Sequence, residues 1–230
     1  MWGVCFIKRE VLRILKRKIL TVAVTISVVL SFWGSALNAA TWRDRYELLW
    51  NNATDAERYN MSTEIKAYAC GLSTADFIFF TRVVNGEGLD ADEDITDMTL
   101  VACCVLNRIN CRRWPTRTVM ATLQRPGQFE VVDRETGECH CGRSKEAEWA
   151  IVMAYRLVAD GEVDCHMDYY NSIGFTGYSR DMIDYAYFGG NYFSCNPCDC
   201  DSCSARMPDW DEDDVEMLTD DFRIMIPTAG

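Results

Sequence analysis

"MTLVACCVLNRI", residues 98–109, decides the fold. Met98 to Leu106 carry no charge and are apolar on nearly every face. A surface helix keeps a polar stripe, so a helix without one is surrounded by protein. The stretch therefore predicts the central helix of the domain. Cys103 and Cys104 lie inside it and read as small buried residues.

Upstream, "DADEDITD" (residues 90–97) is an acidic loop leading into that helix. Asp90, Asp92, Asp94 and Asp97 have the spacing of a calcium loop. However, Ile95 stands where such a loop needs glycine and Val101 where it needs glutamate, so the loop reads as solvated. Before it, "STAD" (Ser73 to Asp76) opens a helix on which Phe77, Phe80 and Val84 recur at helical spacing. Gly86 and Gly88 end that helix. Residues 42–70 read as two short surface helices, the second opened by the capping box Thr54–Glu57.

Downstream, "WPT" (residues 114–116) precedes a short helix over Thr118 to Leu123, and "RPGQF" (residues 125–129) is a turn. Ser144 starts an amphipathic helix with Ala147, Ile151, Ala154 and Val158 on one face, ended by Gly161. "CHMDYYNSIGFTGY" and "YFGGNYFSC" are aromatic and glycine-rich, the pattern of short strands and loops in a carbohydrate-binding wall. From Pro208 to Asp221 the tail holds eight carboxylates and reads as a solvated face or disordered.

The first forty residues differ in kind. Six Lys/Arg (Lys8, Arg9, Arg13, Lys16, Arg17, Lys18) precede an uncharged run, Ile19 to Trp33, and then "GSALNAA". This is the order of a secretory signal, with cleavage near Ala39 or Ala40. An uncleaved signal anchor is the alternative, because about 20 apolar residues span a bilayer. Beyond residue 40 the chain holds 17 basic and 34 acidic residues, a net charge of −17. Such a surface excludes nucleic acid as a partner. Membrane contact is expected only through the N-terminal segment.

Glu87 is the first candidate for chemistry. A carboxyl group at a helix end, beside Val83, Val84 and bare glycine backbone, has the setting of a general acid for a glycosidic oxygen. The plainer reading is an exposed turn glutamate. The flanking glycines would let a polymer approach the backbone. The twelve cysteines come next, eleven of them after the signal. In an exported chain they read as disulfides, with Cys195, Cys198, Cys200 and Cys203 tied back to Cys139, Cys141 or Cys165. "CNPCDCDSC" also has zinc-ligand spacing, which keeps a structural metal site open as the alternative. There is no H-E-x-x-H, phosphate loop or nucleophile elbow. His140 and His166 both neighbour cysteines that look structural.

Several pieces fall in one order: "FFTRVVNGEG", "LVACCVLNRI", "WPTRTVMATLQRPGQF", a helix with alanines, "DYYNS" and "FGGNYF". Over roughly Asp76 to Phe193 this resembles the SleB-like cell wall hydrolases, the spore cortex-lytic enzymes. That family pairs an acidic "xEA/xEG" helix end with "V-L-N-R", a "P-x-T-V…Q-P-x-Q-F" segment and a late "G-x-H-x-F". Asn191 stands where that histidine usually does.

The resemblance implies an α+β fold: a mainly helical lysozyme-like domain with a small β/loop lobe, here cysteine-rich. The order of parts would be a signal or anchor (1–40), a helical extension (41–72), the catalytic domain (73–195) and a Cys-rich acidic tail (196–230). The implied activity is exported cleavage of peptidoglycan glycan strands as a lytic transglycosylase. Glu87 would be the acid, and no cofactor or metal is needed. The implied substrate contacts are Gln128, Phe129, Tyr169, Tyr170 and Asn171, with the tyrosines stacking on sugar faces. The bland readings stay beside them: Gln128 in a turn, Phe129 in the core, Tyr169 to Asn171 as ordinary strand alternation, Arg108 paired with an acid, Asn107 capping the central helix. A non-catalytic cysteine-rich wall-binding module and a peptidoglycan amidase are the other functions to weigh.

Overall fold

The computed structural model describes residues 44–88, 93–172, 182–207, 211, 215, 217–219 and 221–228. The proposed signal segment, Asp90, Asp92 and most of the acidic run after Pro208 lie outside the described residues. The chain divides into two units, Met1–Asn52 and Ala53–Gly230. In the first, residues 44–51 form helix α1.

The second unit holds α2 (Asp55–Tyr59), α3 (Thr63–Ala69), α4 (Thr74–Glu87), α5 (Thr96–Asn110), α6 (Val119–Leu123) and α7 (Lys145–Asp160). Strands β1 (Met167–Asn171), β2 (Ile183–Phe188) and β3 (Asn191–Cys195) follow, and then α8 (Asp201–Arg206). The class is α+β: helices around one core and a small antiparallel sheet in the order β1-β3-β2.

Helix α5 is the centre, as its sequence predicts. Every residue from Thr96 to Arg108 is buried. It packs on α4, α6, α7 and β1. Phe77, Phe80, Val83 and Val84 of α4 and Trp149 and Ile151 of α7 complete the core, all essentially inaccessible to water.

The boundaries follow local chemistry. Thr54 Oγ1 accepts from Glu57 N–H (3.3 Å) while Glu57 Oε2 accepts from Thr54 N–H (2.7 Å), a reciprocal capping box. Ser73, Thr118 and Ser144 cap α4, α6 and α7 through their side chains. Gly161 closes α7 at φ 72°, a conformation that costs glycine least. Gly189 and Gly190, at φ 57° and 93°, make the two-residue turn between β2 and β3.

Three expectations are corrected. Residues 42–70 hold three helices rather than two, because Asn60 caps α2 and Ser62 precedes a fresh start at Thr63. That region is not simply surface. Lys66 is fully buried, and its Nζ donates to Glu148 Oε2 at 3.0 Å. Thr63 Oγ1 (2.7 Å) and Arg143 (3.1 Å) also donate to Glu148. Burial lowers the Lys66 pKa while Glu148 works to raise it.

Nor is the acidic loop simply solvated at Asp94. Its Oδ1 accepts from Thr96 N–H (2.9 Å) and Thr96 Oγ1 (2.5 Å), and Arg223 lies 3.3 Å from Oδ2. The end of the tail is likewise pinned. Ile224 is buried, its carbonyl accepts from Ile95 N–H (2.9 Å) and its N–H donates to Thr96 Oγ1 (2.8 Å).

Candidate functional site

Glu87 is the last residue of α4 and is half-buried. Its carboxylate is held from two directions. Val131 N–H donates to Oε1 at 3.0 Å, and the Tyr170 hydroxyl donates to Oε2 at 3.0 Å. The first donor comes from the segment after α6 and the second from β1. Three separate parts of the chain therefore converge on one carboxyl group.

The glycines beside it have a packing reason. A Cβ on Gly86 would lie 2.5 Å from Cys141 Sγ and 2.8 Å from Val131 Cγ1. A Cβ on Gly88 would lie 2.7 Å from Met98 Cγ and 2.9 Å from Met98 Cα. Gly88 is buried, so no polymer reaches its backbone, whereas Gly86 stays exposed although its Cβ position is filled. The two glycines let α4 press against α5 and against the strip carrying Val131, which sets the height of Glu87.

Asn191 finishes the support. Its Nδ2 lies 3.1 Å from both carboxylate oxygens of buried Asp97 and 3.4 Å from the Glu87 carbonyl. Gly189 is pressed on the same aspartate, since a Cβ there would come within 2.7 Å of Asp97 Cβ. Asn191 thus straps the end of α4 to the start of α5.

A second cluster lies around Arg108, which is 3% exposed. Its Nε donates to the Asp168 carbonyl at 2.7 Å, not to a carboxylate. Its guanidinium stacks on Trp114 (4.6 Å), Phe129 (5.4 Å) and Tyr169 (5.7 Å). The Asp168 carboxylate accepts from Trp114 Nε1 (2.6 Å) and from Arg113. Asp168 falls where the β1–β3 register shifts, between Met167 and Tyr169. Asn107 does not cap α5; its Nδ2 donates to the Asp164 (3.0 Å) and Met167 (2.8 Å) carbonyls and seats β1 on the helix.

The expected contact residues divide. Tyr170 joins Glu87 directly, with its hydroxyl turned to the carboxylate. Burial and the Glu87 charge push its phenol well above the usual range, so it stays a donor. Phe129 is buried under Arg108, and Tyr169 flanks the same guanidinium from the side. Gln128 holds the turn through its N–H on the Arg125 carbonyl (3.3 Å). Asn171 is half-buried at the end of β1, opposite Tyr192.

Val131, Asp97 and Asn191 were not foreseen as parts of the site. Val131 acts through its backbone N–H, which leaves no mark in the side-chain pattern. The two histidines stand apart: His140 is exposed beside Glu138, and His166 is buried on Asp164. A groove of about 940 Å³ is lined by Asp76, Asn110, Arg117, Tyr155 and Arg206 among others, but by none of the expected site residues. The glutamate, with its fixed donors, is the better place to look for chemistry.

Compared with family models, with curated proteins and with solved structures, the chain matches none.

Proposed function

We propose that the chain cleaves the glycan strand of peptidoglycan, with Glu87 as general acid in a lysozyme-like domain. The observation that carries this is the carboxyl group itself. It sits at a helix end, half-buried, and is fixed by Val131 N–H and Tyr170 O–H rather than left to rotate in solvent. A catalytic carboxyl must be aimed before substrate arrives, because positional error costs rate steeply.

One carboxylate suffices for the lytic route. Glu87 gives its proton to the glycosidic oxygen as the bond from MurNAc C1 to that oxygen breaks. The MurNAc 6-hydroxyl oxygen attacks C1 and its proton returns to Glu87. The products are a 1,6-anhydro end and a free hydroxyl, with no water consumed. The Tyr170 hydroxyl can donate or accept, so Oε2 keeps its partner whether or not it bears the proton. Export through the N-terminal segment would bring the domain to its substrate.

The test is muropeptide analysis after the purified chain acts on peptidoglycan. Anhydro-muropeptides are the expected product. Reducing MurNAc ends would assign a hydrolase, and free peptides an amidase. Sedimentation with the wall and no soluble product would assign a binding module instead.

A further inference from the structure

Away from Glu87, five thiols from distant parts of the sequence meet under Trp114. Cys111, Cys165 and Cys203 are buried there, with Cys198, Cys200 and Met207 packed on them. Four of these sulfurs, those of Cys111, Cys198, Cys200 and Cys203, all lie within 4.8 Å of one another. We propose that these four cysteines are the ligands of a structural Zn2+ site that fastens the end of α5 to the loop between β3 and α8.

The spacing separates this reading from a disulfide. Cys111 Sγ is 3.4 Å from Cys198 Sγ and 3.9 Å from Cys200 Sγ, and Cys200 Sγ is 3.6 Å from Cys203 Sγ. A disulfide needs about 2.05 Å, and no described cysteine is bridged. A tetrahedron with Zn–S bonds of about 2.3 Å has edges of about 3.8 Å. The three sulfur separations straddle that edge. Four thiolates would close the coordination sphere and leave no open position, the mark of a structural rather than a catalytic site.

The surroundings fit a thiolate-rich site. Arg206 Nη2 lies 3.7 Å from Cys203 Sγ. Four thiols this close cannot all ionise unless a cation compensates them. The loop is further held by Arg113, which donates to the Asn196 (3.1 Å) and Pro197 (3.0 Å) carbonyls, and by Arg112 on Asp201 (2.8 Å).

A rival set, Cys165, His166 and Cys203, is also compact. His166 is spoken for, however. Nδ1 faces Asp164 Oδ1 at 2.8 Å and Nε2 faces the Cys198 carbonyl at 3.2 Å. Both partners are acceptors, so the ring offers them N–H groups and no lone pair to a metal. It positions the Cys198 loop, and Cys165 remains a fifth thiol beside the site.

The test uses the full chain purified under reducing conditions, with no need for activity. Elemental analysis should find about one zinc per chain. Exchange with Co2+ should give thiolate-to-cobalt charge-transfer absorption and the intense d–d bands of a tetrahedral site. Cys200→Ser and Cys111→Ser should lose the ion, whereas Cys165→Ser should keep it. The spectrum of the unaltered chain decides the matter even if a variant fails to fold. A folded chain that takes up neither ion would overturn the proposal. Peptide mapping of a second preparation, isolated without reductant, that finds any two of the four cysteines disulfide-linked would overturn it too.

Discussion

Glu87→Gln is the substitution that most sharply tests the catalytic reading. It keeps the shape and removes the transferable proton. Two hydrogen bonds of 3.0 Å hold the carboxylate. The amide oxygen of glutamine can still accept from Val131 N–H. The amide NH2 then faces Tyr170, whose hydroxyl turns to accept instead of donate. Both bonds survive in altered form, so stability should change by no more than about 1 kcal/mol. Loss of a general acid costs about 10²–10⁴-fold in rate, which is about 2.7–5.4 kcal/mol of barrier. Glu87→Ala differs: it strands both donors at about 1–3 kcal/mol each, and the melting temperature should drop as well as the rate. The assay is anhydro-muropeptide release beside a thermal melt, with exposed Glu135→Gln as control. A folded Gln variant that turns over near the normal rate refutes the assignment. A Gln variant that melts as early as the Ala variant refutes the account of the hydrogen bonds.

Three further outcomes follow from packing. Glu148→Ala should cost about 3–5 kcal/mol, read by denaturant melt, because it leaves the buried Lys66 ammonium without its counter-charge; loss comparable to a surface substitution would contradict it. Gly88→Ala should cost about 1–3 kcal/mol by overpacking against Met98, while Gly142→Ala, with open space around it, should be nearly silent in the same melt. Asn191→Ala should cost about 1–3 kcal/mol and lower activity, since it removes a donor from buried Asp97 and frees the end of α4; unchanged turnover in a folded variant would show that the strap does not set Glu87.

The fold was legible where one element's chemistry sufficed. The uncharged stretch from Met98 to Leu106 had nowhere to go but the interior. Ser73, Thr118, Ser144 and Gly161 bounded helices because caps act within three or four residues. What failed depended on residues far away in sequence. Lys66 looked like a surface cation because its partner, Glu148, lies 82 positions on. Asp94 looked solvated because Arg223 lies on the far side of the tail. A local pattern carries no record of such pairings.

The sites divide along the same line. Glu87 was visible as a carboxylate between glycines at a helix end, yet the reason for the glycines was not. The sequence suggested open backbone, which Gly86 keeps and Gly88 does not, but each glycine is also a point of close contact, with Cys141 and Val131 on one side and Met98 on the other. The C-terminal cysteines were visible as a group, but Cys111 was not, since a lone cysteine closing α5 resembles any buried small residue. Helix α5 joins these observations. Asp97 at its start meets Asn191 and Gly189, and Met98 backs Gly88. Asn107 and Arg108 near its end seat β1, which delivers Tyr170 to Glu87, and Cys111 then enters the thiol cluster. A strictly apolar middle with polar groups only at its two ends is what one helix needs to serve as core, as base for the candidate acid and as anchor for the cysteines.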